Sequence, residues 1–577
     1  MRLPDGKRGA PIRASAQLIS TFIVAFTLPL FPKNSCAQYT ASYETNVISG
    51  VVSNWSGDYD IGNNTVFDRL QIISGGVLSN NGYGEVGLTA SANNNSALVT
   101  GAGSLWNNTN TVFVGDGGSD NSLTIANGGQ VVNTYGYIGN AIGSSGNSVL
   151  VTDTGSTWSN TINLLVGVTG SGNSLTISNG GQVFSYDGQI GLDRRAQNNT
   201  VLVTGVGSTW NNASDVQVGP SGWGNSLTIA NAGKVVNENA FIGLSASSSN
   251  DSALVTGSGS LWVNTIDLFV GYAGPSNKLD IDTGGAVLAL NAYVGFVYSN
   301  AGNQITISGG GLCVTNASFN SQLDVRSGAL VLNSGTVTVD TLIATNGSSS
   351  VIQFNGGTLN TKATLVKDGL VFSVGNGTTA ATLNLDNGGS GFHFFANGLS
   401  ISSNAMLKGN GTIIGATIVN GGGTLSPGSS PGSMTFSNTL TLAPNATLLI
   451  EMAGYAAGAG GYDQVLASTA TVTGASLQVQ LLGGFVPTNG AQFTILDNFG
   501  TEPVGGTFLG ASEGSTNSLG TGILFGITYE GNGPSGDAND IILTVVPEPA
   551  TRALCLLGLI GVFRSRRRPK PTQLASS

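Results

Sequence analysis

Ionisable side chains are scarce in this sequence of 577 residues, and their scarcity limits the chemistry that the chain can perform. Charged residues make up 9 % of the chain, and there is one histidine, His393. A histidine-rich metal site is therefore excluded, and a catalytic triad would have to use that one imidazole. Because aromatic residues flank it in Phe392-His393-Phe394, we expect His393 to be a packed loop residue. We expect no cofactor and no metal.

Basic side chains are the rarer of the two charged classes. Between Gln38 and Val546 the sequence has 9 Lys and Arg against 28 Asp and Glu. This acidic balance argues against nucleic acid and against anionic membrane surfaces as partners, because both attract basic proteins.

Cysteine is nearly absent. Cys36 lies near the N-terminus, Cys313 in the body of the chain and Cys555 near the C-terminus. No intramolecular disulfide is expected from such a set. The stability of the fold must therefore come from packing.

Glycine, by contrast, is abundant, with 88 residues, and a repeat of 26 residues runs from about Asn95 to Gly311 without insertion or deletion. Apolar residues stand two and four positions after the start of each copy, as Leu123 and Ile125 do after Asn121. Nine copies in phase identify a repeat protein. The copies start at Asn95, Asn121, Asn147, Asn173, Asn199, Asn225, Asp251, Asn277 and Asn303.

The spacing of the apolar residues is that of β-strands, since they lie two apart. Each copy contains about three short strands separated by Gly-Gly, Asn-Gly and Ser-Gly. One copy cannot bury its apolar edge alone, but stacked copies can. We therefore predict an all-β fold, a right-handed parallel β-helix (solenoid) of 26-residue rungs with Leu123 and Ile125 inside. Asn tolerates left-handed turns, and its stacked amides can bond along the ladder.

A second signal has twice this period. Trp106, Trp158, Trp210 and Trp262 are each 52 residues apart. Aligned at 26 residues, their column continues with Val132, Phe184, Val236 and Leu288. Because every member is apolar, we expect this column to face the core. If it faced outward, rings about 9.6 Å apart would form a stripe for stacking sugars.

The N-terminal residues have the pattern of a secretory signal peptide. Arg2 and Arg13 belong to a basic segment that precedes the apolar run 18–30, and Ser35-Cys36-Ala37 supplies small residues at a cleavage point. Export and the lack of cysteine pairs are consistent with each other.

Several segments resemble known families. The 26-residue rungs are similar to repeats shared by autotransporters and by proteins with a PEP-type sorting tag. Gly409-Asn410-Gly411-Thr412 and Leu425-Ser426-Pro427-Gly428 look like the end of autotransporter passenger β-helices. The resemblance implies a continuous β-helix followed by a β-rich closing segment.

The C-terminus resembles the PEP-CTERM sorting signal of Gram-negative bacteria. Its motif is Pro547, Glu548 and Pro549, followed by the apolar run 553–563 and a basic tail. The resemblance implies recognition by an exosortase during export. An apolar run of this length is shorter than the roughly 20 residues of a stable span, so we expect only transient insertion in the inner membrane. An ordinary single-pass anchor is the alternative. The basic residues of the motif are Arg564, Arg566, Arg567 and Arg568.

These observations divide the chain into six segments. They are a signal peptide (1–37), N-terminal entry or cap rungs (38–94), regular rungs (95–311), an irregular, passenger-like β-helix (312–450), a β-rich C-terminal segment (451–546) and the sorting signal (547–577).

The function favoured by the sequence is a non-catalytic, exported structural or adhesive protein of the cell envelope or extracellular matrix, with extracellular polysaccharide as a candidate partner. The alternative is a β-helical protein that binds or degrades polysaccharide, as a lyase or glycosidase. Asp280 and Asp282 share one strand face and could serve glycoside chemistry, but they occur in one rung only. We therefore expect a solvated face there, and we assign no catalytic residue.

Overall fold

The computed structural model describes residues 39–297, 301–385, 391–534, 536 and 538–547. Within these residues every regular element is a β-strand, apart from one 3₁₀ turn at Gly347–Ser349. The strands pair in parallel from turn to turn as a β-solenoid of about 16 turns, with roughly 26 residues per turn. The predicted all-β parallel β-helix is confirmed.

Each of the first ten turns contributes one strand to each of three sheets. The first sheet contains Thr45–Ser49, Arg69–Ile73, Ser96–Thr100, Ser122–Ala126, Ser148–Thr152, Ser174–Ser178, Thr200–Thr204, Ser226–Ala230, Ser252–Thr256 and Lys278–Asp282. The second sheet contains Val52–Trp55, Val77–Asn80, Leu105–Asn108, Gln130–Asn133, Thr157–Asn160, Gln182–Ser185, Thr209–Asn212, Lys234–Asn237, Leu261–Asn264 and Ala286–Ala289. The third sheet contains Tyr59–Ile61, Gly84–Val86, Thr111–Val114, Tyr135–Ile138, Leu164–Val166, Gly188–Ile190, Val216–Val218, Ala240–Ile242, Asp267–Val270 and Asn291–Val294.

The later turns are less regular, and several of their strands run through a corner from one sheet into the next. Parallel stacking continues past Ile450, because Thr447–Met452 pairs with Ser476–Leu481. These strands are Asn303–Val314, Gln322–Val325, Gly328–Ala344, Ser350–Phe354, Gly357–Val366, Phe372–Val374, Ala381–Leu385, Phe392–Phe395, Leu399–Ile401, Ala405–Gly409, Gly411–Ile414, Thr417–Val419, Thr424–Pro427, Ser433–Leu442, Thr447–Met452, Gln464–Thr471 and Ser476–Leu481.

An antiparallel group closes the C-terminal end of the solenoid. Gln492–Asn498 still pairs in parallel with Gln464–Thr471, but its other edge pairs antiparallel with Ala538–Val546. Leu524–Asn532 and Thr516–Asn517 extend the antiparallel pairing. Parallel growth of the coil therefore ends at this point.

The core is built from alternate residues of every strand. In Ser174–Ser178, Leu175 and Ile177 are buried, while Ser174 and Thr176 are partly exposed. Ile177 lies in register between Val151 and Val203 of the neighbouring turns. The predicted inward and outward faces of the first sheet are confirmed.

The four tryptophans of the double repeat are buried in the core, as predicted. The ring of Trp158 fills the space beside Gly136 of the preceding turn, where a Cβ atom would lie 2.6 Å from the ring. Its indole N–H donates to Oδ1 of Asn133 at 2.7 Å. The buried amide thus satisfies the one polar atom of the indole.

The predicted partners of the tryptophans in the other turns were wrong by one residue. Trp158 pairs with Val131 and Val183, not with Val132 and Phe184, and Phe184 is 36 % exposed. Val235 and Val287 likewise replace Val236 and Leu288. The loop between the first and second strands is one residue longer in the copies that contain tryptophan than in the alternate copies. A constant period of 26 therefore misaligns the second sheet.

The extra residue in each of these longer loops is a buried serine. Its hydroxyl group accepts a hydrogen bond from a backbone N–H of the neighbouring turn, as Ser208 does from Gly180 at 3.0 Å. Ser208 also donates to the carbonyl of Thr204 at 2.8 Å. The four serines are Ser104, Ser156, Ser208 and Ser260.

The repeated Asn residues form a buried ladder along the solenoid. Nδ2 of Asn147 donates to Oδ1 of Asn173, and Nδ2 of Asn173 donates to Oδ1 of Asn199, both at 3.1 Å. The predicted bonding along the ladder is confirmed. The left-handed residue is the preceding one, for example Asn198 with φ of 53°, and not the ladder residue itself.

Candidate functional site

The third sheet carries a continuous column of outward positions along ten turns. In Tyr135–Ile138 the residues Gly136 and Ile138 are buried, while Tyr135 and Tyr137 are partly exposed. Successive members of the column lie about 4.8 Å apart. We call this set the third-sheet column; its members are Asp60, Glu85, Phe113, Tyr137, Leu165, Gln189, Gln217, Phe241, Phe269 and Tyr293.

Aromatic rings in the first part of the column cross one another instead of stacking. The ring of Phe113 lies 5.7 Å from that of Tyr83 at 68° and 5.2 Å from that of Tyr137 at 76°. Tyr135 packs against Tyr137 at 5.9 Å and 55°. None of these contacts is a face-to-face stack; Tyr83 is 40 % exposed, and the other three rings are partly exposed. We call these four residues the crossed-ring group.

A pair of carboxyl groups precedes the crossed-ring group in the same column. Glu85 stands in register between Asp60 and Phe113 and is buried. Burial, and then the negative charge of Asp60, raise the pKa of Glu85 to about 8. Glu85 therefore keeps its proton at neutral pH, beside the carboxyl group of Asp60 on the adjacent strand.

The carboxyl group of Asp60 is also kept partly from solvent. Its Oδ1 atom is buried and has no hydrogen-bond partner within the described residues, and burial raises its pKa. Asp58 adds a further negative charge beside the pair. The site therefore combines a Glu85 side chain that is neutral at pH 7 with the neighbouring carboxyl groups of Asp58 and Asp60, next to partly exposed aromatic rings.

The spacing of this pair differs from that of glycosidases. Retaining enzymes hold their two carboxyl groups about 5–5.5 Å apart and inverting enzymes about 6.5–9.5 Å apart. Asp60 and Glu85 stand in register on adjacent strands, whose backbones lie about 4.8 Å apart, a spacing below both ranges. Their arrangement suits binding to hydroxyl groups better than general acid and base catalysis.

The last part of the column contains a second set of rings, which cover one another. Phe269 stacks between Phe241 and Tyr293 at 5.0 Å on each side, with interplanar angles of 5° and 12°. Tyr272 and Phe296 stack beside them at 5.0 Å and 14°. We call these five residues the stacked-ring group. Because its ring faces contact each other, the group acts mainly as packing.

Arg326 closes the stacked-ring group. Its guanidinium group lies 4.3 Å from the ring centre of Phe296 and 5.2 Å from that of Tyr293. Asp324 holds it through a contact of 2.7 Å between Oδ2 and Nε. The cation thus covers the ring faces at the end of the group.

The residues singled out from the sequence do not gather at this site. His393 is buried within the strand Phe392–Phe395, not in a loop, and burial lowers its pKa to about 4. Asp280 lies on the outward side of the first sheet, in register with Leu254 and Thr306, and is partly exposed like Asp282, as expected for a solvated face.

The sorting motif falls almost wholly outside the described residues. Pro547 is described, but Glu548, Pro549, Arg564, Arg566, Arg567 and Arg568 are not. In the part of the chain that is described, no helix is long and apolar enough to cross a membrane. Across the same residues, no group of three or more His, Cys, Asp or Glu side chains is placed to hold a metal ion.

The crossed-ring group was missed in the sequence, although a signal for it was present. The closing Val-Gly or Ile-Gly step of each rung is preceded by the column residue, as in Phe113-Val114-Gly115 and Tyr137-Ile138-Gly139. An aromatic residue at that place in several rungs marks the stripe. The pairing of Asp60 with Glu85 had no such signal, because it lies in the irregular entry turns.

Comparisons with known proteins give little further information. No family model matches the chain, and no curated protein matches it. Among solved structures, the chain is similar to the crystal structure of a TibC-catalyzed hyper-glycosylated TibA fragment, with 11 % identity over 77 % of this chain and 97 % of that one. The TM-score of 0.24 is too low for this likeness to support any inference about function.

Proposed function

We propose that the chain is an exported, non-catalytic β-solenoid that serves as a structural or adhesive component of the cell envelope or extracellular matrix of a Gram-negative bacterium. The observation that carries the proposal is the crossed-ring group beside the Asp60–Glu85 pair. Exposed aromatic rings can pack against the C–H faces of sugars, and carboxyl groups can bond to sugar hydroxyls. The partner that fits this surface is an extracellular polysaccharide.

Binding is tested by removing the rings while keeping apolar bulk. Phe113→Leu together with Tyr137→Leu should weaken retention of the protein on immobilised polysaccharide by about tenfold, because ring contacts contribute roughly 0.5–1.5 kcal/mol each. The matched control is Phe241→Leu together with Tyr272→Leu in the stacked-ring group, which should retain binding. Equal retention by the two double variants would reject this surface as the contact site.

Processing is a separate part of the proposal. The N-terminal segment directs export, an exosortase recognises Pro547, Glu548 and Pro549, and the arginine-rich tail holds the apolar run transiently in the inner membrane. The released protein should extend from about Gln38 to about Val546. Replacing the three motif residues together should leave export intact and retain the precursor in the membrane. Intact-mass measurement decides the matter: released protein that still ends at Ser577 points to a plain anchor.

A second candidate is a polysaccharide-degrading enzyme that uses the same surface. The observation that favours it is the raised pKa of Glu85, since a carboxyl group that is neutral at pH 7 can act as a general acid. The short separation of the pair counts against it. The two candidates differ in whether bound polysaccharide is shortened.

A further inference from the structure

The buried Asn ladder has a constant donor pattern. In five ladder residues the Nδ2 group donates to Oδ1 of the next ladder residue and to a backbone carbonyl 29 residues earlier in the chain; they are Asn147, Asn173, Asn199, Asn225 and Asn277. Asn199 donates to Asn225 at 3.1 Å and to the carbonyl of Gly170 at 3.2 Å. Asn277 donates to Asn303 and to the carbonyl of Ser248, both at 3.3 Å. Every rung of this kind therefore supplies two N–H donors to two acceptor oxygens.

Asp251 occupies one rung of this ladder and has no N–H group to give. Its Oδ1 atom accepts from the backbone N–H of Asn225 at 2.8 Å and from its Nδ2 group at 3.1 Å. Its own N–H donates to Oδ1 of Asn277 at 2.9 Å. The side chain is buried, and within the described ranges Oδ2 has no hydrogen-bond partner.

The ladder register identifies what faces that unpartnered oxygen. The two acceptors that correspond to those of the other rungs are Oδ1 of Asn277 and the carbonyl of Gly222. An ionised carboxylate would place a negative charge against two acceptor oxygens. A protonated carboxyl group would instead donate to one of them and replace the missing amide.

We propose that Asp251 is protonated in the folded solenoid and that loss of this proton opens the Asn ladder locally. The turns around Asn225 and Asn277 then form a segment of the solenoid whose rigidity depends on pH. This inference goes beyond the proposed function and concerns the mechanical continuity of the protein.

Among the residues that the structure describes, no charged group contributes to the pKa of Asp251. The groups packed against it are the amides of Asn225 and Asn277 and the backbone of Gly219, whose added Cβ atom would lie 2.0 Å from Oδ2. The neighbouring Lys278 is exposed on the surface. Burial raises the pKa of Asp251 to about 7, and the two bonds from Asn225 lower it only in part.

Because burial raises the pKa of Asp251, its contribution to stability decreases as the pH rises. Below about pH 4 the carboxyl group is protonated in both the folded and the unfolded chain, and its contribution to stability is complete. Between the ordinary value of 3.8 and about 7, the unfolded chain ionises while the folded chain keeps its proton, so stability falls with rising pH. The folding equilibrium constant falls by up to roughly a thousandfold, and this fall is complete above about pH 7.

Other buried acids titrate in the same range, so the test must be local. Burial also raises the pKa of Asp463 to about 7 and that of Glu85 to about 8. Asp463 lies in the C-terminal turns, and its two oxygens accept from the backbone N–H groups of Gly432 and Glu451. Global unfolding alone would mix the three groups.

Hydrogen exchange of the intact protein, corrected for the intrinsic chemical rate at each pH, provides the local measurement. Between pH 5 and pH 8, strands Ser226–Ala230 and Ser252–Thr256 should lose protection by at least about tenfold relative to Ser122–Ala126. Asp251→Asn should abolish this difference, because the amide restores both donors at every pH. Identical local protection of the two proteins at pH 8 would overturn the proposal.

Two further measurements separate the proton from a general effect of charge. The infrared band of a protonated carboxyl group should be weaker in Asp251→Asn than in the wild-type protein at pH 6, and an unchanged band would contradict the proposal.

Asp68→Asn is the matched control, since both Asp68 oxygens already accept bonds, from Glu44 N–H and the Thr65 hydroxyl group. A gain in thermal stability at pH 8 should occur only for Asp251→Asn; an equal gain for Asp68→Asn would also contradict it.

Discussion

At the scale of single residues, the side of the sheet on which a side chain lies decides how much it contributes to stability. Neighbouring residues of one strand, such as Thr176 and Ile177, face solvent and core respectively. A buried residue in a solenoid contacts the turn before and the turn after it, so one substitution disturbs both interfaces.

Replacing Ile177 with Asp should therefore lower the free energy of unfolding by about 3 kcal/mol or more, because a carboxyl group would enter an apolar column between Val151 and Val203. The matched change Thr176→Asp on the outward face should cost less than about 1 kcal/mol. Thermal or denaturant unfolding of the two variants gives the comparison. Equal losses would contradict the assignment of inward and outward faces.

At the scale of elements, the sequence predicted the first sheet correctly and the second sheet with an error of one residue. Leu123, Ile125 and their copies obey a constant period because the first strands and their Asn residues keep constant spacing. The second strands do not, because the loops with a buried serine are one residue longer than the corresponding loops of the neighbouring copies. The rest of the same copy is one residue shorter, so that each copy still has 26 residues and the difference is hidden.

The buried serines give a prediction at this scale. Ser208→Ala should cost about 1–3 kcal/mol of stability, because the backbone N–H of Gly180 would remain buried without an acceptor. Ser226→Ala, on the outward face of the first sheet, should change stability by less than about 0.5 kcal/mol. Chemical denaturation measures both. If the loss for Ser208→Ala were no larger than that for Ser226→Ala, the serine column would have no structural role.

At the scale of the whole molecule, the stacked coil could be predicted because every copy repeats the same local pattern. The crossed-ring group could have been predicted from the aromatic residues before the closing Val-Gly and Ile-Gly steps. The Asp60–Glu85 pair could not, since it depends on which outward positions of the third sheet come into register across irregular entry turns. The protonation of Asp251 was equally hidden, because only the donor pattern of its neighbours shows that an amide is missing.

We propose that the solenoid binds polysaccharide through the crossed-ring group without cleaving it. The most direct measurement is the chain length of an extracellular polysaccharide before and after prolonged incubation with the purified protein, together with the amount bound. We predict retention of the polymer at unchanged length, with the same result for Glu85→Gln, whose amide can still donate to Asp60. Shortening of the polymer that Glu85→Gln abolishes would contradict this proposal and identify an enzyme.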